Sequence, residues 1–143
     1  MVMSKLRTST IKQTVTIPAE PVQVYDALMD PKEHAEFTGD AAEGSGKVGG
    51  TFKAYGGYIT AKNLELEKAR TIVQEWTTSE WPDGYPPSRL EIRLTKVKGG
   101  TELRMVHSQV PTEQAEDYAM GWQEHYWVKL QEHFRAKKVR KKP

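Results

Sequence analysis

Cysteine is absent from the 143 residues of this chain, which removes disulfides, thiolate metal sites and cysteine nucleophiles and fits a reducing compartment. Long apolar runs are missing too. No stretch approaches the roughly 18 residues of a membrane helix, and the opening MVMSKLRTSTIKQTV has no long apolar core of a secretory leader. The expectation is a cytoplasmic protein without membrane insertion. Catalytic spacings are equally scarce. There is no H-E-x-x-H and no G-x-S-x-G, and the neighbours His107 and Ser108 sit in a strand-like run, where adjacent side chains point to opposite faces. GSGKVGG satisfies G-x-G-x-x-G through Gly44, Gly46 and Gly49 but leads into the strand-like TFKAY. A dinucleotide site needs those glycines to open a helix, so a turn before a sheet is expected instead.

What is present is enough chain for one domain with a sizeable core. Charge is unevenly placed. Arg135, Lys137, Lys138, Arg140, Lys141 and Lys142 crowd the C-terminus, so residues 1–134 hold 15 basic against 19 acidic side chains. The expected division is a domain over residues 1–137 and a basic tail over 138–143. Such a tail supplies at most non-specific affinity for nucleic acid, and no nucleic-acid reading module accompanies it.

The apolar pattern orders the elements. Arg7 to Ile17 alternates as a strand and stops at Pro18; Pro21 opens a short helix that closes at Asp30-Pro31, and a second short helix follows to about Glu36. Strands are expected over Thr51–Tyr55, Tyr58–Glu67, Arg70–Thr77, Ser88–Thr95 and Thr101–Val110, with Gly56-Gly57 and Gly99-Gly100 as turns. In the fourth of these, Leu90, Ile92 and Leu94 alternate with Arg89, Glu91 and Arg93, which predicts one wet face. After Pro111 the period changes to that of a helix over five turns long, capped by Thr112, with Ala115, Ala119, Trp122, Tyr126, Leu130 and Phe134 or His133 inward. This predicts an α+β fold: a curved antiparallel sheet wrapped around a long C-terminal helix, with two short helices after the first strand.

The four histidines, His34, His107, His125 and His133, lack metal spacing, and no metal or cofactor is expected. The richest stretch is GWQEHYWVKLQEHF, residues 121–134. Trp122 and Tyr126 share a helix face, whereas Trp127 is rotated from it and is expected to line an edge or remain partly exposed. Gly121 costs a helix about 1 kcal/mol relative to alanine, which suggests close packing on the sheet or a bend. With Phe37, Tyr58 and Trp76, these rings enclose either a solid core or a ligand cavity; Phe37, Tyr58, Trp76, Trp122 and Tyr126 are the candidate lining. Trp81 and Tyr85, in the loop SEWPDGYPP, are candidate partner anchors, for a foreign protein or a second copy alike.

Five segments in order, LMDPKEHAEFTG, VGGTF, EWTTSEWPDGY, GGTELRMVHSQVP and GWQEHYWVKLQEHF, resemble the activator of Hsp90 ATPase homologue family, within the START-like, birch-pollen-allergen-like helix-grip superfamily. The resemblance covers about residues 15–135. It implies the helix-grip fold and an Hsp90-type chaperone as partner, while the wider superfamily implies a small hydrophobic ligand. It supplies no shared catalytic set. On this resemblance a non-enzymatic chaperone-associated or stress-related role is favoured, with a hydrophobic-ligand carrier as the alternative. An enzyme using the cavity would need a perturbed ionisable group inside it, for which His107 and His125 are the candidates.

Overall fold

The computed structural model describes the backbone of residues 6–141 and the side chains of residues 6–138. Apart from Lys138, the side chains of the basic tail lie outside the described residues.

Strand β1 (Thr8–Ile17) leads into helix α1 (Pro21–Met29) and helix α2 (Pro31–Thr38). The chain then runs through β2 (Glu43–Gly44), β3 (Thr51–Ala54), β4 (Ile59–Glu67), β5 (Thr71–Thr78), β6 (Ser88–Val97) and β7 (Gly100–Pro111). The long terminal helix has three parts: α3 (Thr112–Trp122), a π-helical turn (Gln123–Trp127) and α4 (Val128–Lys141). The seven strands of the described residues join one antiparallel sheet in the order β1-β7-β6-β5-β4-β3-β2. Register shifts at Ser9/Ile11 and Asn63/Glu65 interrupt the ladders, and such bulges bend a sheet and increase its twist. The terminal helix and the two short helices pack on the inner face.

The alternation in β6 is realised directly. Leu90, Ile92 and Leu94 are buried while Arg89 and Arg93 are exposed. The short helices start where the prolines place them: Asp30 Oδ1 accepts from the Lys32 N–H at 2.9 Å, and Gln23 Oε1 accepts from the Glu20 N–H at 2.8 Å. Thr112, by contrast, is the first helical residue rather than the cap. Its hydroxyl lies 2.9 Å from that of Ser9 on β1, so it fastens the helix start to the first strand.

The glycine-rich loop also has a structural account. Asn63, fully buried, donates from Nδ2 to the carbonyls of Ser45 and Lys47 at 2.8 and 3.0 Å. A Cβ at Gly46 would lie 2.6 Å from the Met29 carbonyl oxygen. That glycine admits close approach of loop to helix α1, and the loop runs into β3 rather than opening a helix.

Candidate functional site

Between the terminal helix and strands β4 and β5 lies an aromatic cavity of about 250 Å³. Its walls are Tyr55, Tyr58, Ile59, Trp76, Tyr118, Gly121, Trp122, His125 and Tyr126. Trp76, Trp122 and Tyr126 are buried, whereas His125 is exposed at the mouth. Two different local conformations place these rings. The alternation of β5 directs Trp76 inward, and the π turn sets the register of the helix.

In a regular helix Trp122 and Trp127, five apart, diverge. The π turn closes with the Val128 N–H on the Gln123 carbonyl, and this wider turn brings both indoles into one stack, centroids 5.3 Å apart and planes 13° apart. Trp127 is therefore buried rather than at an edge. Gln13 on β1 holds the turn from both sides: its Oε1 accepts from the Trp127 indole N–H at 2.7 Å, and its Nε2 donates to the Ala119 carbonyl at 2.8 Å. Mid-helix π turns recur at functional sites.

Gly121 is not packed tightly on the sheet. A Cβ there would meet nothing within 4 Å, and the residue faces the cavity. The glycine thus costs helix stability of about 1 kcal/mol without relieving a clash, and its effect is to keep the wall open.

Behind the walls two histidines are fixed as neutral bases. His107 Nδ1 accepts from the Trp122 indole N–H at 3.1 Å, so the ring proton resides on Nε2 and is donated to Ser88 Oγ, 2.7 Å away. Ser88 in turn donates to the Trp76 carbonyl at 2.9 Å. This serine–histidine pair has the spacing of a nucleophile and its base but the opposite proton arrangement: Nε2 is occupied and the serine hydrogen is directed to a carbonyl. Burial lowers the His107 pKa to about 3. His34 forms a parallel relay. Its Nδ1 donates to the Leu28 carbonyl at 3.0 Å and its Nε2 accepts from the Tyr126 hydroxyl at 2.9 Å; burial lowers its pKa to about 4. The polar atoms of Trp122 and Tyr126 are thus satisfied by the protein, leaving apolar ring surface toward the cavity.

The rim is more polar. Thr78 and Tyr118 hydroxyls lie 2.7 Å apart, Tyr118 donates to Gln114 Oε1 at 2.9 Å, and Tyr58 donates to Glu80 at 2.5 Å. Burial, then the Glu80 hydrogen bond, raises the Tyr58 pKa. Tyr55 donates to the His125 carbonyl at 2.5 Å, and burial followed by the Asp40 charge raises its pKa to about 12. These phenols stay protonated at neutral pH.

Of the expected lining, Tyr58, Trp76, Trp122 and Tyr126 come together around the cavity. Phe37 does not. Helix α2 directs it against Tyr126, His34 and His133, away from the wall. Tyr55, Tyr118 and Ile59 were missed by sequence reasoning; the i, i+4 relation of Tyr118 to Trp122 was the available signal for one of them. Trp81 is half-buried, its ring stacked 6.0 Å from Tyr118 and its N–H donated to the Pro86 carbonyl at 3.1 Å. The Tyr85 hydroxyl accepts from the Arg7 N–H at 3.3 Å. Among the described residues, no group of three potential metal ligands assembles, and no helix is long and apolar enough to cross a membrane.

A family model described as Activator of Hsp90 ATPase homolog 1-like protein matches residues 18–135. The chain belongs to that family. The human activator of 90 kDa heat shock protein ATPase homolog 1 is 27% identical over 128 residues, covering 87% of this chain and 36% of the human protein. The mouse counterpart is 25% identical over 130 residues, covering 91% of this chain and 38% of that protein. The chain therefore spans little more than a third of the length of these curated relatives.

Solved structures share the fold. An HSP90 activator from Plasmodium falciparum superposes with a TM-score of 0.71 at 22% identity, covering 82% of this chain and 89% of that chain. CalU16 from Micromonospora echinospora gives 0.70 at 24%, covering 90% and 74% respectively. The family's curved sheet with its long terminal helix is thus the fold of this chain, as the sequence segments implied.

Proposed function

We propose that this family member binds a small apolar molecule between the sheet and the terminal helix. The observation that carries the reading is Gly121: a helix residue without steric need for glycine, placed where any larger side chain would enter the cavity. The cavity is smaller than the 300 Å³ expected of a typical carrier. Since an apolar cavity of about 150 Å³ accommodates benzene, about 250 Å³ suits a two-ring guest.

The test separates binding from folding. Gly121→Leu fills the mouth while adding helix propensity, so it is expected to unfold no more easily than the parent and to lose at least about tenfold in affinity for 1-naphthaleneethanol. Both are read by urea unfolding and by NMR titration of the indole N–H signals. No saturable shift with the parent protein would sink the reading.

Family membership favours a second reading, contact with an Hsp90-type chaperone, in which Trp81 and Tyr85 are the proposed anchors. Calorimetric titration into such a chaperone is expected to show saturable binding weakened at least fivefold by Tyr85→Ala. Absence of heat under conditions where a full-length activator binds would refute it.

A further inference from the structure

On the reading that the cavity is a binding site, we infer that its guest is a small arylalkylamine, with the ring among Trp76, Trp122 and Tyr126 and the ammonium group at the mouth. A second, outer recess of about 450 Å³ adjoins the cavity and shares Tyr58, Tyr118, Gly121 and His125 with it. The other residues of this recess are Glu80, Gln114, Asp117, Met120 and Glu124. Three carboxylates therefore flank the opening, and among the described residues neither lysine nor arginine lines the cavity or the recess. Asp117, Gly121 and Glu124 are spaced four and three apart on the terminal helix, which presents both acids on the face that carries the opening. Lys129, which lies 5.8 Å from the Tyr55 ring centroid, donates to the Thr38 carbonyl at 2.9 Å and lines neither space.

Within the cavity the Trp122 indole N–H and the Tyr126 hydroxyl already have protein partners, so the inner walls offer a guest ring faces rather than hydrogen bonds. Indole and phenol faces attract a cation, and the carboxylates attract it at longer range. An apolar anion would meet the same carboxylates as a repulsion.

Three probes sharing one ring system test this: 2-(1-naphthyl)ethylamine, 1-naphthaleneethanol and 1-naphthylacetate. The amine is expected to bind about tenfold more tightly than the alcohol, and the acetate more weakly than either, with the amine's advantage shrinking in 0.5 M salt, roughly a 4 Å screening length. Binding should also move the Trp76 indole N–H resonance. The double variant Asp117→Asn with Glu124→Gln removes two charges and leaves Glu80, which holds Tyr58, in place. It is expected to bring the amine to the affinity of the alcohol and to leave the alcohol unchanged. Equal binding of amine and acetate, or an amine affinity untouched by the double variant, would overturn the inference while leaving the cavity reading intact. Failure of all three probes to bind would overturn both.

Discussion

Between pH 7 and pH 5 the domain is expected to lose about 4 kcal/mol of stability, because both buried histidines must then be kept neutral against rising proton activity. In the unfolded chain each titrates near 6.5, whereas in the folded protein His34 is held at about 4 and His107 at about 3. The unfolded state therefore binds more protons below pH 6.5. The contribution is complete above that value and declines as the pH falls toward the folded values, by about 1.4 kcal/mol per unit for each ring. Urea unfolding at half-unit pH intervals reads the slope directly. His34→Gln can keep both hydrogen bonds, to Leu28 and Tyr126, without a titrating ring, and should halve the slope. A flat profile from 7 to 5 would show that these rings are not buried as neutral bases.

Replacing Trp122 by alanine should cost about 5 kcal/mol, the largest loss expected from any single side chain around the cavity. Trp122 contacts Trp127, Tyr126 and Trp76, with centroids 5.3, 4.8 and 5.8 Å away, and donates to His107. Truncating a buried aromatic removes roughly 3–5 kcal/mol by itself. The orphaned His107 Nδ1 adds about 1–3 kcal/mol. Trp122→Phe keeps most of the packing and loses the donor, so it should lie well below the alanine variant. Equilibrium unfolding of both variants separates the two contributions; an alanine loss below about 2 kcal/mol would mean that the neighbouring rings collapse into the space.

The architecture was legible wherever local pattern and burial agree. Strand β6 alternates cleanly, the prolines before and after Asp30 set the short helices, and Gly99-Gly100 makes the β6–β7 turn. The site was less legible because it depends on a change of helical pitch. Tyr118, Trp122, Tyr126, Leu130 and Phe134 are all buried and each is four residues from the next. In a straight helix that spacing drifts by about 40° per step, too much for one face over so many turns. The drift was visible in the sequence and is the signal of the π turn; reading the segment as regular helix put Trp127 at an edge. Gly121 shows a different limit. Its cost to the helix was evident, but a glycine that relieves a clash and one that leaves a wall open look alike in sequence, and only the position of neighbouring atoms separates them. Phe37 was misplaced because composition groups aromatics together without telling which side of Tyr126 each one meets. The relays through His34 and His107 join residues far apart in sequence, and neither residue's local pattern names its partner.

The first strand has its ladder partner in the last strand and several side-chain partners in the final helix. Beyond the β1–β7 pairing, Ser9 meets Thr112, Gln13 joins Ala119 and Trp127, and Gln131 donates to the Thr16 carbonyl, contacts separated by 103 to 115 residues of chain. A nascent chain emerging from a ribosome therefore carries an unpaired β1 through most of synthesis. Hairpins such as β4–β5 and β6–β7 can form from neighbouring sequence, but the loop closed by β1 spans nearly the whole domain, and its entropy must be overcome before any of those distant bonds forms. For this strand assembly must wait on synthesis, because its ladder partner β7 is made near the end of the domain.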